Sequence, residues 1–416
     1  MKLTIFDIEN WKEIGATLSR NKTRTFLTGF GIFWGTAMLA ILLGGARGAQ
    51  DMLMQNFDGF ATNSGAIFSQ RTTKPYKGYQ KGRWLDLDVT DIERIRLNFH
   101  EFETVTELLN NGGVRFESDR YSYSGTAMGV APEFNDVMTP VIYSGRFINE
   151  NDMSRKRKAA VVGQKVANEL YPGNPSPIGE KIKINGIVYT IVGIAGQNSE
   201  ISLGGRIDES VLLPGPVFRQ AFKRNDNVDV IMFVGKNGVK ISELKDRLRH
   251  VVYQRHNIAS DDENAMNIFD VSEMFDMVNN LFLGLSLLAL FIGSSTLMAG
   301  IIGIGNIMWV IVKEITQEIG IRRAIGAKPR DIIMQILSEG MMLTSAAGSA
   351  GICFAAVVLG IAQAITSNDI SSPRFQMNPE HALMIMTTFI VLGTAAGMIP
   401  SIKAMKIKPV EALNDK

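Results

Sequence analysis

Four long apolar runs constrain this chain more than any other feature of its sequence. They cover residues 25–46, 281–312, 332–366 and 381–402, and the second run contains no charged side chain. A transmembrane helix needs about 20 consecutive apolar residues, so each run is long enough to cross a bilayer. The sequence therefore predicts a membrane α-helical protein with four transmembrane helices.

The segment between the first and second runs, residues 47–280, has the composition of a soluble domain. At both ends of this segment, helical periodicity alternates with strand-like periodicity, which is typical of an α/β fold. Residues from about 112 to 224 are dominated by strand patterns. Within them, Asn185-Gly186 separates two apolar segments and predicts a β-hairpin. We therefore predict a large extramembrane α+β domain, in which a β-rich subdomain is inserted into an α/β subdomain.

Lysine and arginine are concentrated in three segments, residues 1–24, 313–331 and 403–416, whereas the loop 367–380 contains only Arg374. Because short cytoplasmic segments carry an excess of lysine and arginine, both termini and the segment 313–331 are predicted to be cytoplasmic. The large domain is then on the opposite side of the membrane. Apolar residues at helical spacing within residues 1–24 predict an amphipathic helix that lies on the membrane surface.

The charged segment 313–331, KEITQEIGIRRAIGAKPRD, separates the second and third apolar runs. Glu314 and Glu318 are four residues apart, and so are Glu318 and Arg322, which favours a short helix. Pro329 disfavours helical backbone at the residue before it and is predicted to end that helix. Two interpretations are open at this point: a solvated turn, or a coupling helix that contacts a cytoplasmic partner.

Several classes of function lack support in the sequence. It contains no GxxxxGK[ST], HExxH or GxSxG motif, so no catalysis is expected from this chain alone. Its one cysteine, Cys353, can form neither an intrachain disulfide nor a cysteine-based metal site. A net charge of +2 provides no basic excess for nucleic acid. We expect no metal and no cofactor to be bound by this chain.

Small residues recur at intervals of four in the apolar runs, a spacing that lets transmembrane helices approach closely. The alternative is that glycine and alanine are simply common in membrane helices. The candidate helix-packing residues are Gly31, Gly35, Ser295, Ala299, Gly303, Gly393 and Gly397, and Ala347, Gly351 and Ala355 show the same spacing in the third run.

Four motifs give the chain a resemblance to the MacB/FtsX-type permeases of ABC transporters, the mechanotransmission class. They are NKTRTFLTGFGIFWG at 21–35, SGRFINENDMSRKRKAAVVGQKVANELYPGNPSPIGEKIKINGIVYTIVGI at 144–194, EIGIRRAIGAKPRDI at 318–332 and PSIKAMKIKPVEALN at 400–414. The resemblance implies a bacterial inner-membrane protein with a periplasmic core domain, made of a porter-like α/β subdomain and the β-rich insertion. It also implies that helical stalks join this domain to the membrane.

The resemblance further implies partners. Two permease copies, as a homodimer or a related heterodimer, would bind cytoplasmic ATPase subunits that hold ATP and Mg. No ATPase domain is recognised in this chain, so the ATPase is expected on a separate polypeptide. A periplasmic adaptor and an outer-membrane channel are further expected partners, beside membrane lipid. The residues expected to couple to the ATPase are Glu314, Glu318, Ile319, Gly320, Arg322, Arg323, Ala324, Gly326, Ala327 and Pro329.

Four functions are compatible with these features. The first is export of a substrate from the periplasm in a multipart efflux system. The second is release of lipoproteins, and the third is FtsX-like regulation of a periplasmic enzyme without transport. A membrane-anchored sensor or adhesion protein is the fourth, but it gives the charged segment no role. The size of the segment 47–280 favours the exporter, and no local motif identifies its substrate.

Overall fold

The computed structural model describes residues 22–197, 199, 201–314, 316–326, 328–366 and 375–405. The chain divides into two compact units, a helical unit that includes residues up to Met52 and from Asn280 onward, and a domain, Leu53–Asn279. Most of the predicted amphipathic helix, the predicted basic tail from 406 onward and Arg374 lie outside the described residues.

The described elements alternate between helices and strands only within the domain. In chain order they are α1 (Lys22–Gln55), β1 (Ser64–Ser69), α2 (Val89–Asn98), β2 (Phe102–Glu117), β3 (Ser122–Val130), α3 (Phe134–Val137), β4 (Val141–Gly145), α4 (Glu150–Ser154), β5 (Ala159–Gly163), α5 (Gln164–Leu170), β6 (Lys181–Ile184), β7 (Ile187–Gly196), a 3₁₀ turn (Ile207–Glu209), β8 (Ser210–Pro214), α6 (Gly215–Phe222), β9 (Val230–Gly235), α7 (Ile241–His256), β10 (Met266–Asp270), α8 (Val271–Glu314), α9 (Thr316–Ala324), α10 (Pro329–Thr366) and α11 (Pro379–Met405).

Four helices in the described part of the chain are long and apolar enough to cross a membrane. These candidate spans are Thr25–Gln55, Val271–Glu314, Pro329–Thr366 and Pro379–Ile402. The first helix continues to Gln55, beyond the predicted end at Ala46, because the residues that follow are mostly good helix formers and include no proline. Pro329 begins α10, since proline at a first helical position leaves no intrahelical hydrogen bond unmade.

The domain contains one sheet of ten strands, in the order β10-β1-β9-β2-β3-β8-β5-β7-β4, and β6 pairs with both β2 and β7. The long strand β2 pairs with β9 over Phe102–Leu108 and with β3 from Leu108 to Glu117. The insertion predicted at about 112–224 therefore does not form a sheet of its own. Its strands continue the sheet of the flanking α/β part, because β2 crosses the predicted boundary as one strand, with an irregularity in its pairing between Asn111 and Val114.

Three hydrophobic clusters fill the domain. One packs α2 and α7 against the outer strands of the α/β part, and a second packs α5 and α6 against the strands of the insertion. The third lies under the strands that join the two parts. The insertion thus has its own hydrophobic core although it shares the sheet. Fully buried members of the three clusters include Ile95, Leu248 and Phe233; Phe116, Tyr189 and Phe218; and Met128, Phe134 and Met232.

The β-hairpin predicted from Asn185-Gly186 is confirmed. Strands β6 and β7 pair antiparallel with Ile184 opposite Ile187, so the two residues between them form the turn. Asn185 has φ +50° and Gly186 has φ +82°. A two-residue turn of this kind matches the right-handed twist of the strands, and it requires residues that tolerate positive φ.

Candidate coupling site

A short helix occupies the middle of the charged segment. Helix α8 ends at Glu314, α9 covers Thr316–Ala324, and α10 begins at Pro329. The helix that the charge spacing predicts is therefore present, and it ends before the proline. Gly326, between α9 and α10, has φ +104°, a backbone conformation that only glycine adopts at little cost.

One face of α9 is buried against the other helices of its unit. Ile319 is 3% exposed and belongs to a hydrophobic cluster with Val312, Ile332 and Ile336. Gly320 beside it is also buried. The Thr316 hydroxyl donates a hydrogen bond of 2.8 Å to the Val312 carbonyl of α8. These contacts fix the orientation of α9 relative to the ends of α8 and α10.

Two isoleucines are exposed on the side away from Ile319, Ile321 on α9 and Ile325 in the turn that follows it. Ile321 is 45% exposed and Ile325 is 82% exposed. The Ile325 amide donates a hydrogen bond of 3.1 Å to the Ile321 carbonyl, so one helical turn separates them. Exposed apolar side chains that adjoin one another are typical of sites that contact a protein or a membrane. The sequence prediction omitted both residues, although their helical phase, away from that of Ile319, marks them.

The predicted coupling residues differ in their environment. Ile319 and Gly320 are buried and contribute to helix packing. The exposed residues are Glu314, Ala324, Gly326 and Pro329. Glu318, Arg322 and Arg323 lie on α9, and Ala327 lies outside the described residues. The exposed coupling surface therefore includes the two isoleucines together with the predicted exposed positions.

On the domain side, α8 begins directly after the last strand. Asp270 ends β10, and its Oδ1 accepts hydrogen bonds from the Ser272 hydroxyl at 2.6 Å and from the Glu273 amide at 3.3 Å. The Asp270 side chain is fully buried, and its Oδ2 lies 3.6 Å from the Lys245 ammonium, which also pairs with Glu273. A carboxylate at this position accepts from one free amide in the first turn of the helix, which stabilises the junction.

The segment that follows α1 also packs against the start of α8. The rings of Phe57 and Phe275 have centroids 5.4 Å apart. Both side chains pack against the third hydrophobic cluster of the domain. The two points at which the chain enters and leaves the domain are therefore in contact with each other and with its core.

Only some of the predicted helix-packing glycines lie where two helices approach closely. A Cβ at Gly393 would lie 2.6 Å from the Thr344 hydroxyl, and one at Gly397 would lie 3.3 Å from Leu337. Gly35 faces Thr296 at 3.6 Å, whereas no heavy atom lies within 4 Å of a Cβ built at Gly31 in the described structure. Of the remaining candidates, Ser295 and Ala299 are exposed and Gly303 is half-buried.

Among the glycines of α1 and α10, the tightest approach between the two helices is at Gly351, one of the small residues at four-residue spacing in the third apolar run. A Cβ there would lie 2.6 Å from the Phe33 carbonyl and would also collide with the Thr36 hydroxyl. Thr36 is fully buried and donates its hydroxyl to the Ile32 carbonyl at 2.9 Å. Close packing between these two helices therefore depends on the glycine at 351.

Two family models match this chain. The MacB-like periplasmic core domain matches residues 25–251, and the FtsX-like permease C-terminal model matches residues 285–409. The second match contains α9 and the whole charged segment. The first match contains most of α1 and most of the domain.

Curated relatives match along nearly the whole chain. The macrolide export ATP-binding/permease protein MacB of Bdellovibrio bacteriovorus is 28% identical over 98% of this chain and 61% of its own length. The pyoverdine export ATP-binding/permease protein PvdT of Pseudomonas fluorescens is 26% identical over 95% of this chain and 58% of its own length. The chain thus spans 58% to 61% of the length of these relatives.

Among solved structures, the periplasmic region of MacB from Actinobacillus actinomycetemcomitans is similar to 55% of this chain, at 14% identity and a TM-score of 0.43. That comparison covers 98% of the solved chain. The family assignment rests on the sequence models, because the core-domain model alone covers more than half of the chain. Four candidate membrane helices and a MacB-like periplasmic core domain indicate an inner-membrane protein with a periplasmic domain. The chain therefore belongs to the MacB/FtsX-like family of ABC transporter permeases.

Proposed function

We propose that this chain is the permease subunit of an ABC transporter that transmits ATP-driven motion from a cytoplasmic ATPase to the periplasmic domain. In this proposal the ATPase is a separate subunit that holds ATP and Mg and contacts the exposed face of α9. The permease itself catalyses no reaction. Both termini and α9 are cytoplasmic, in agreement with the concentration of lysine and arginine around them.

The observation that carries this proposal is the continuity of α8. One helix of 44 residues leads from the end of the sheet, at Val271, to the charged segment, at Glu314. At 1.5 Å per residue it is about 66 Å long, roughly twice the thickness of the hydrocarbon core of a bilayer. Because no flexible linker interrupts it, a displacement at α9 would reach β10 through a continuous helix.

Export from the periplasm is the transport function we propose. The names of the relatives, macrolide export and pyoverdine export, support export over lipoprotein release or regulation of an enzyme. In this proposal two copies of the chain assemble with the ATPase, and a periplasmic adaptor and an outer-membrane channel complete the export path. The relatives' names do not extend to the substrate of this chain.

Purification from native membranes in mild detergent, followed by quantitative mass spectrometry, tests this proposal. A P-loop ATPase present at equal stoichiometry is the expected result, and an accompanying periplasmic adaptor would favour export over lipoprotein release. If no ATPase is found even after chemical crosslinking, the coupling role of α9 is wrong. The sensor or adhesion function would then be the better account.

A further inference from the structure

A basic hairpin lies between β1 and α2 and has no role in the coupling described above. We use this name for residues 70–85, QRTTKPYKGYQKGRWL, which contain no aspartate or glutamate. Isolated bridges pair Arg71 with Trp84 and Tyr76 with Tyr79, so the segment folds back on itself. Its cationic residues are Arg71, Lys74, Lys77, Lys81 and Arg83.

Three large aromatic side chains of the basic hairpin are exposed. Tyr76 is 39% exposed, Tyr79 is 47% exposed and Trp84 is 50% exposed. Each ring has a cation over its face. The distances to the ring centroids are 4.4 Å from the Arg83 guanidinium to Tyr79, 5.4 Å from the Lys77 ammonium to Tyr76 and 5.8 Å from the Arg71 guanidinium to Trp84. These separations are within the range of cation–π attraction, so the rings hold the cations at the surface.

The basic hairpin is held in place by a buried carboxylate. Asp262 accepts hydrogen bonds from the Thr73 amide at 2.7 Å, the Thr73 hydroxyl at 2.6 Å and the Lys74 amide at 3.0 Å. At the other side of the hairpin, Arg83 donates to the His256 carbonyl at 2.5 Å. A surface fixed in this way loses little conformational entropy when it binds a partner.

Four of the five cations of the basic hairpin form no direct ion pair with any residue that the structure describes, although the hairpin adjoins the acidic residues Asp261 and Asp262. Lys74 pairs with Asp261 at 2.7 Å. In the described part of the chain, no ion pair involves the other four cations of the hairpin, Arg71, Lys77, Lys81 and Arg83. Exposed cations that form no ion pair within the chain are free to attract a partner with an acidic surface.

The sheet register places the basic hairpin at the end of the domain that is remote from the start of α8. In the antiparallel pair of β1 and β10, Gly65 is opposite Asp270 and Ser69 is opposite Met266. The hairpin continues from Ser69, whereas α8 continues from Asp270. The four intervening steps of strand separate the two by about 13 Å. The hairpin and the start of α8 therefore lie at opposite ends of the β1–β10 pair.

We propose that the basic hairpin is a docking surface for an acidic protein on the periplasmic side of the membrane. Tyrosine, tryptophan and arginine are the residues enriched among the dominant contacts of protein–protein interfaces, and all three are exposed here together. The charge of the hairpin selects a partner with clustered carboxylates. The cations over the aromatic faces also hinder the flat stacking that a sugar ring would need, which favours a protein over an anionic glycan. This inference does not depend on the ATPase coupling.

Site-specific photocrosslinking in intact cells tests the docking surface with the full chain. The photoreactive residue replaces Gln80 (Gln80→p-benzoylphenylalanine), since Gln80 is exposed on the basic hairpin and takes part in none of its cation–π pairs. The same residue at exposed Asn174 is the control site. Mass spectrometry of the adduct identifies the crosslinked peptide of the partner. We expect a protein adduct at position 80 whose crosslinked segment is rich in aspartate and glutamate, and no such adduct at position 174.

Charge variants then decide whether that adduct depends on the basic hairpin. The double substitution K77E/K81E is expected to reduce the adduct about tenfold, because two charge reversals repel an acidic surface. The matched control R155E/K156E reverses two exposed cations elsewhere in the domain and should leave the adduct unchanged. A glycan or lipid adduct, a crosslinked segment without acidic residues, equal yield in both double variants or no adduct at position 80 would overturn the proposal. Should K77E/K81E be absent from the membrane, K77Q/K81Q is used, with an expected reduction of the same sign.

Discussion

Both terminal nitrogens of Arg219 donate hydrogen bonds of 2.6 Å to the two carboxylate oxygens of Glu107. The two side chains are 15% and 14% exposed, so the pair is largely removed from water. It joins α6 of the insertion to β2, the strand that crosses from the α/β part into the insertion. We infer that this ion pair fixes α6 on the shared sheet.

Removal of one member of this pair should destabilise the domain more than removal of both. R219M leaves the Glu107 carboxylate buried without its partner, and a loss of about 2–3 kcal/mol in unfolding free energy is expected. The double variant E107M/R219M should recover part of that loss, because no buried charge then remains. Denaturant unfolding of the detergent-solubilised protein measures the unfolding free energy of both variants, and hydrogen exchange reports the local stability of α6. Equal stability of R219M and the unaltered chain would show that the pair has no structural role.

The close approach of α1 and α10 predicts a position-specific effect of added volume. G351L should lower the thermal stability of the detergent-solubilised protein, because its side chain collides with Thr36 and the Phe33 carbonyl, a form of overpacking that costs about 1–3 kcal/mol or more. G360L, on the same helix, is the matched control, since no heavy atom lies within 4 Å of a Cβ at Gly360 in the described structure. If both variants melt alike, the helix packing described here is incorrect.

Acidification should loosen the basic hairpin through Asp262. Burial raises the pKa of Asp262, but hydrogen bonds from Thr73, Lys74 and Asn264 outweigh it and hold the pKa below its ordinary value of 3.8. A carboxyl group with a depressed pKa in the folded state stabilises the fold above its unfolded pKa. This stabilisation is lost as the pH falls from about 3.8 through the lower folded pKa.

The test of this pH dependence compares D262N with the unaltered chain. Thermal unfolding between about pH 5 and about pH 3 should show a smaller loss of stability in D262N, which has no carboxylate to protonate there. D119N, at an exposed turn, should keep the full dependence. Identical pH profiles for D262N and the unaltered chain would contradict the role given to Asp262.

The exposed face of α9 predicts that an acidic residue at position 325 abolishes binding of the ATPase. I325E places a carboxylate where an apolar contact is expected, and burial of an unpaired charge in an interface is strongly unfavourable. The co-purified ATPase should fall at least about tenfold, because 1.4 kcal/mol already changes an equilibrium tenfold. I178E, at a domain isoleucine that is 42% exposed, should retain the ATPase. Retention by I325E would exclude this face as the contact.

Local sequence signals were sufficient for the membrane spans and for the turn at Asn185-Gly186. Hydrophobicity over one run of residues and the φ requirement of one turn are properties of neighbouring residues. The continuity of the sheet is different, because β1 pairs with β9 and β10 near the other end of the domain, with Gly65 opposite Asp270. Neither the short strand β1 nor β4 was predicted, since their few residues show no clear alternation before their partners are known.

The sequence predicts where the candidate site lies along the chain, but not which of its side chains are exposed. Charge spacing located the helix α9, and the family resemblance supplied its proposed role. Which side of α9 is free depends on how Ile319 packs against Ile332 and Ile336, and that packing is a tertiary property. Because the Ile319 side is buried, Ile321 and Ile325 form the exposed apolar side.

Pulsed electron paramagnetic resonance on the purified complex shows whether ATP binding moves the periplasmic domain. In the background C353S, which removes the one cysteine, D119C carries a spin label at an exposed turn of the domain. Distances between the labels of the two copies are measured with and without a non-hydrolysable ATP analogue. We expect the analogue to shift the distance distribution and I325E, the variant of the proposed ATPase contact, to abolish the shift. An unchanged distribution in the complex that retains its ATPase would contradict transmission of ATP-driven motion from α9 to the domain.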